Sequence, residues 1–268
     1  MTCRRWHELS TTDFARMDPG KTLVILPLGS VEQHGPHLPV GTDTLIVEAI
    51  VEGIMQRLRD VDCLFLPTMW ATKSNEHKAF PGTITLSHDT LSRVLQDIAS
   101  SVARAGLRKL VFMNAHGGNM GTLDVVGRDV RQETGLLTFV LELWRLYTAP
   151  PALPGALAPL DIHAGYYETS VLLARRRDLM EGRSFARLGS DRARGRIAAS
   201  FERFKFLRPE GGAINVPWLT TDYTDDGVIG DPTQARAAVG QLELDKLVNT
   251  VCELLREVAV FEYQNPPG

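Results

Sequence analysis

The sequence predicts an α/β fold: a parallel sheet with helices packed on both of its faces. Strand-like and helix-like segments alternate from residue 22 to residue 144, which is the pattern of right-handed βαβ crossovers. The strand-like runs are apolar almost without interruption, as they are when both faces of a sheet are covered. Acidic and imidazole side chains gather just after those runs, where open α/β sheets bind ligands.

The elements follow in order. "TLVILPLG" (22–29) is a short apolar run punctuated by Pro and Gly and reads as a buried strand. "DTLIVEAIVEGIMQRLRD" (43–60) places Leu45, Ala49, Ile50 and Ile54 at helical spacing. "DCLFLPTMW" (62–70) is a second strand. A helix then runs from Asp89, read as its N-cap, through Leu91, Val94, Leu95, Ile98 and Val102 to Gly106. "RKLVFMNAHGGN" (108–119) is a third strand entering a Gly-rich turn, followed by a helix over 120–134 and the strand "LLTFVLELW" (136–144). "APPALPGALAP" (149–159) reads as a loop inside the domain. Residues 185–235 are weakly patterned, rich in Arg, Gly and Pro, and read as an excursion over the surface before a terminal helix from 235 to 260.

The bulk numbers agree with a single domain over residues 1–268. The chain is 44% hydrophobic and 23% charged with a formal net charge of -3. That balance leaves no electrostatic footprint for nucleic acid or an anionic membrane. No apolar run is long enough to span a bilayer, and "MTCRRWHELS" lacks the apolar stretch of a secretory signal, so a cytoplasmic protein is expected. Cys3, Cys63 and Cys252 are scattered and odd in number, which fits reduced thiols.

The chemistry concentrates at the strand ends. "GSVEQHGPHLPVGTDT" (29–44) carries Glu32, His34, His37 and Asp43; Ser74, Glu76 and His77 precede "FPGT"; His116 lies in "NAHGGN"; His163 and Glu168 lie in "DIHAGYYETS". Mixed nitrogen and oxygen ligands of this kind suit zinc, manganese or ferrous iron. Glu32 and His34 are two apart, so an extended chain points both the same way. An aspartate such as Asp43 can bridge two cations, and two cations can share a hydroxide that attacks an electrophilic carbon. Glycines at 29, 35, 117 and 118 would let the backbone approach closely. Taken singly, each residue has a simpler reading: Asp43 as an N-cap, Glu168 as a first-turn acid favoured by the helix dipole, "HGGN" as a tight connection. His37 and Glu76 divide evenly between support of a site and plain structure, and His7 and His88 read as surface or capping residues. Convergence of so many such residues on one edge favours the metal-site reading.

At these positions the sequence resembles the creatininase (creatinine amidohydrolase) family. The matching pieces are "LPLGSVEQHGPHLPVGTD", "TKSNEHKAFPGT", "NAHGGN" and "HAGYYETS", in family order, with the late "GVIGDP" (227–232). The resemblance implies a three-layer α/β/α sandwich with a mostly parallel central sheet and two divalent metal ions per chain. By position, Glu32, Asp43 and His116 would hold one metal, His34 and Asp43 the other. In creatininase a Tyr-Glu pair follows the histidine matching His116, and that Glu ligates the second metal; here Gly117 and Gly118 stand there, so Glu168 is the candidate replacement. Creatininase also has a Trp-Asp pair before the histidine matching His163, where this chain reads "APLDIH"; Asp161 is near, and Trp144 is the candidate pocket tryptophan.

The expected activity is that of a binuclear metal-dependent amidohydrolase, cleaving a cyclic or non-peptide C–N bond of a small molecule. His163 would protonate the leaving nitrogen, and Ser74, Trp144 and Asp161 would contact the substrate. The alternatives are a peptidase processing a modified peptide, of the mycofactocin-maturation type, and a non-catalytic metal-binding scaffold. The family resemblance also implies a homo-oligomer, a hexamer built from trimers.

Overall fold

The computed structural model describes residues 3–147, 161–186, 188, 190–207, 214 and 216–264. The loop expected over 149–159 lies outside the described residues. A five-stranded, wholly parallel sheet forms the middle layer. Its strands are β1 (Arg4–Arg5), β2 (Thr22–Leu28), β3 (Asp62–Phe65), β4 (Lys109–Asn114) and β5 (Leu137–Glu142), in the order β1-β3-β2-β4-β5, and a short helix, α1 (Thr11–Phe14), stands between β1 and β2.

The period-2 alternation of a strand decides which core each side chain joins. Leu23 and Ile25 of β2, with Val111 and Met113 of β4, enter one core with helices α2 (Thr42–Arg57), α5 (Tyr166–Arg175) and α8 (Ala237–Val260). Val24 and Leu26, with Leu110 and Phe112, enter the other core with α3 (His88–Arg104) and α4 (Met120–Thr134). Fully burying one such Leu, Ile or Val contributes about 1.5–3 kcal/mol, so both layers are held by many equivalent increments. The three-layer α/β/α architecture is therefore as expected.

The differences are local. The second strand stops at Phe65 rather than reaching residue 70, because Pro67 follows and removes a ladder donor. The N-cap of α3 is Ser87, whose side chain accepts the Thr90 N–H, and Asp89 sits inside the first turn. A polar two-residue strand, β1, pairs in parallel with β3 and carries too little apolar signal to be read from sequence. Among its described residues, the 185–235 segment contains two α-helices, α6 (Ser190–Phe201) and the short α7 (Thr220–Tyr223). Ala193 and Ile197 of α6 form a small separate core with Tyr223 and Ile229. Among the described residues, no helix is long and apolar enough to cross a membrane.

Strand register aims the site. Leu28, Asn114 and Glu142 lie in one row across β2, β4 and β5. The residues two positions beyond that row are Ser30, His116 and Trp144, so three loops leave the sheet side by side at its carboxyl edge.

Candidate active site

Glu32 and His34 lie on the segment after β2, which is tied down by the Glu32 N–H donating to the Val40 carbonyl (2.8 Å). Asp43 follows in the first turn of α2, whose N-cap is Gly41. The Asp43 carboxylate therefore does not cap the helix; it accepts from the Ser30 hydroxyl (2.8 Å) and faces two imidazoles. His116 enters from β4. His163 enters from a bridge in which it exchanges backbone hydrogen bonds with Ile229. Glu32, His34, Asp43, His116 and His163 are all buried.

Hydrogen-bond polarity around the two imidazoles tests whether cations fit. His34 Nδ1 lies 3.0 Å from the Glu32 carbonyl, an acceptor, so this nitrogen carries a proton. His116 Nε2 lies 2.8 Å from the Lys73 carbonyl and is protonated for the same reason. In the neutral rings, the bare nitrogens are then His34 Nε2 and His116 Nδ1. His34 Nε2 is 3.1 Å from Asp43 Oδ1 and 3.9 Å from Glu168 Oε2. His116 Nδ1 is 3.1 Å from Asp43 Oδ2 and 3.3 Å from Glu32 Oε2.

Bare nitrogens facing carboxylate oxygens repel unless a positive charge lies between them, and Glu32 Oε2 is buried with no hydrogen-bond partner. Outward N–H groups given to backbone carbonyls are also what metal-ligating histidines show. The residues present fit a divalent cation: potential ligand atoms of Glu32, His77 and His163 lie within 4.8 Å of one another. Potential ligand atoms of Glu32, His34 and Asp43 lie within 4.8 Å of one another, as do those of His34, His163 and Glu168.

Without a cation, a proton takes its place. Burial disfavours charge on His34, yet Asp43, Glu168 and Glu32 outweigh it and raise its pKa to about 10. His116 is raised in the same way by Glu32 and Asp43, against burial. Burial works to raise Glu32, but His116 and His77 prevail and hold it at about 2. His163 differs. Burial, reinforced by His77 and His34, keeps it well below the ordinary histidine range and hence neutral.

Glu168 stands in the first turn of α5, where its Oε2 accepts the Ala164 N–H at 2.6 Å. Ala164 adopts the left-handed conformation at φ 54°, a strained state for a residue with a Cβ. Burial raises Glu168 to about 8 despite His34 nearby.

The three residues expected at the substrate have different settings. Ser74 is fully buried, and its hydroxyl lies 3.4 Å from His116 Nε2. Asp161 accepts the Tyr166 and Tyr167 N–H groups (2.6 and 3.0 Å), so it braces the start of α5, and burial raises it to about 6. Trp144 is 45% exposed at the rim, with its Nε1 donating to Glu142 Oε2, which also accepts from Asn114.

Among the other residues of this edge, His37 is buried against Thr169 Oγ1 (2.9 Å), and His88 bonds Thr122 Oγ1 (3.0 Å). A Cβ at Gly117 would meet open space, so the close approach expected there is absent. At Gly118 it would lie 2.3 Å from Glu76 Oε1 and 2.5 Å from the Lys73 carbonyl. Gln33, absent from the expected set, and His77, named among the strand-end residues without a role, are central to the arrangement: His77 Nε2 lies 3.3 Å from Glu32 Oε1, and Gln33 lies against both His77 and His163. His77 was visible beside "FPGT", but nothing in an amide side chain flags Gln33.

Comparison with known proteins agrees with this geometry. The family profile described as Creatininase: Creatinine amidohydrolase matches residues 7–255. The chain is 34% identical over 241 residues to the mycofactocin precursor peptide peptidase of Mycobacterium tuberculosis (strain CDC 1551 / Oshkosh), covering 87% of this chain and 84% of that protein. It is 28% identical over 260 residues to the creatinine amidohydrolase of Pseudomonas putida, covering 91% and 92%. Solved creatininases described as Mn and as Zn-Zn type share the fold. The Mn structure matches with a TM-score of 0.71 and 26% identity, over 96% of this chain and 99% of that one. The chain belongs to the creatininase family of hydrolases.

Proposed function

We propose that this protein is a binuclear metal-dependent amidohydrolase that cleaves a cyclic or non-peptide C–N bond of a small molecule. The observation that carries the reading is Asp43, whose two carboxylate oxygens each lie 3.1 Å from the bare nitrogen of a different histidine. Divalent cations bound there supply Lewis-acid polarisation of a carbonyl and a water acidified enough to attack it. Glu32, His34, Asp43, His116 and Glu168 hold that charge in a buried setting, where it acts through a low dielectric. His163, neutral and with its Nδ1 3.7 Å from Glu32 Oε1, takes up a proton and returns it to the leaving nitrogen.

A second reading, removal of residues from a modified peptide, is favoured by the 34% identity to the mycofactocin precursor peptide peptidase. Both readings share the metal residues and differ in the size of the group accommodated. A homo-oligomeric assembly belongs to the proposal as well. The test is to measure metal content and then offer two substrate sets: creatinine, lactams, cyclic ureas and formamides, or short peptides. Turnover of the first set supports the first reading. Turnover confined to peptides replaces it with the second, and a purified chain without cations that cleaves neither defeats both.

A further inference from the structure

Cys3 and Cys63 are far apart in sequence and come together in the fold. β1 pairs in parallel with β3 so that Arg4 stands opposite Leu64, and Cys3 and Cys63 directly precede that pair. Neighbouring strands lie about 4.8 Å apart, a backbone separation that a disulfide can span. An ion pair on one face of this ladder holds the register. Arg4 Nη2 donates to both Asp62 carboxylate oxygens (3.2 and 3.3 Å), and Asp62 Oδ2 also accepts from the Thr22 hydroxyl (2.9 Å). Strand alternation puts the two cysteines on the other face. There Cys63 belongs to the core beneath α2 and α8, and Cys3 packs against that same core.

The two thiols differ in their surroundings. Cys3 is half-buried and Cys63 is buried. Cys3 Sγ donates to the carbonyl of Leu58, the residue that ends α2 (3.5 Å). The Cys63 thiol donates to the Cys3 sulfur and lowers the Cys3 pKa against its partial burial, with Arg59 adding to the effect. The Cys63 pKa moves the other way, raised by the Cys3 sulfur beside it and by burial. One sulfur of the pair therefore ionises and meets solvent, while the other waits next to it as a thiol. Cys252 of α8 joins the same core but stands outside the ladder. Among the described residues, the acid, imidazole and thiol groups that gather in threes within 4.8 Å include no cysteine, so the three thiols form no metal cage.

We propose that Cys3 and Cys63 form a reversible oxidation site for hydrogen peroxide, closed by a disulfide between them. The Cys3 thiolate attacks one peroxide oxygen, the O–O bond breaks, and hydroxide leaves to take up the proton that Cys3 gave to solvent. Cys3 is then a sulfenic acid. The Cys63 sulfur attacks the Cys3 sulfur, and the hydroxyl departs with the Cys63 proton as water. In total the two thiols lose two electrons and two protons, and the peroxide becomes two waters. A dithiol reductant reverses the change by thiol–disulfide exchange. The bond ties β1, at the edge of the sheet, to β3. Cys63 stands opposite Leu23, the second residue of β2. The pair thus lies at the amino ends of the strands, away from the carboxyl edge that carries the acid and imidazole cluster, and it does not depend on the hydrolase reading.

The experiment is thiol mapping of the full-length protein. Reduced, desalted protein is exposed to a slight excess of hydrogen peroxide, quenched with catalase, alkylated under denaturing conditions and mapped by mass spectrometry. Cys3 and Cys63 should be lost to alkylation together and appear as one linked pair of peptides from a single chain. Cys252 should remain alkylatable, and dithiothreitol should restore all three thiols. Cys63→Ala should stop the reaction at a Cys3 sulfenic acid, captured by dimedone. Cys3→Ser should leave Cys63 alkylatable after the same exposure. Three alkylatable thiols in the exposed native chain, a link that includes Cys252, or a link joining two chains overturns the proposal. Mapping of the native chain decides the matter even where a core variant fails to fold.

Discussion

Asp43 Oδ2 lies 3.1 Å from His116 Nδ1, and the opposite nitrogen of that ring is engaged by the Lys73 carbonyl. The Asp43 carboxylate also reaches His34 through its second oxygen, so one buried side chain joins the two halves of the site. Asp43→Ala should empty both cation positions and abolish hydrolysis, read by elemental analysis of purified protein and by initial rates. A variant that keeps two cations and loses only about 1 kcal/mol of stability would return Asp43 to an ordinary helix-start acid.

His163 should behave as a proton carrier rather than a ligand. His163→Asn is expected to retain both cations and to lose roughly two to four orders of magnitude in kcat. Loss of a cation from this variant would make His163 a ligand, and the proton route would have to pass through another group.

Glu168 is the acid facing the His34 half. Its Oε2 is shared between the Ala164 N–H at 2.6 Å and His34 Nε2 at 3.9 Å. Glu168→Gln should lower occupancy beside His34 and leave the position among Glu32, Asp43 and His116 filled. Anomalous diffraction showing both positions full would reduce Glu168 to a brace for the strained Ala164.

A change far from the site should separate stability from chemistry. Ser87 caps α3 by accepting the Thr90 N–H at 3.1 Å. Ser87→Ala should cost about 1 kcal/mol, a fall in melting temperature of about 2–4 °C for a chain near this size, with kcat and KM unchanged. A larger change in kcat than in stability would mean that α3 communicates with the site.

Much of this protein was legible in its sequence because the signals were local. Apolar runs punctuated by Gly and Pro marked β2 and β4, and helical spacing marked α2, α3, α4 and α8. Acid and imidazole residues after those strands pointed to the carboxyl edge. Glu32, His34, Asp43 and His116, which the fold brings together, could be named because acid and imidazole groups mark themselves by residue type, and parallel strands deliver their loops to one edge.

What the tertiary structure alone decided depends on contacts between distant residues. Whether Asp43 caps a helix or faces two histidines is a matter of where its oxygens point. Both uses suit an aspartate at a helix start, and only the placement of His116, brought alongside by the β2–β4 register, separates them. Asp161 resembled a substrate contact in sequence, but five and six residues on it meets the N–H groups of Tyr166 and Tyr167. The placement of the Gln33 amide against His77 and His163 could not be read at all. An amide has no charge to mark it, and its direction is set by Gly227, 194 residues away. Periodicity records which side chains are buried; it does not record which atom of a side chain carries the proton, because that is settled by partners the fold brings from elsewhere in the chain.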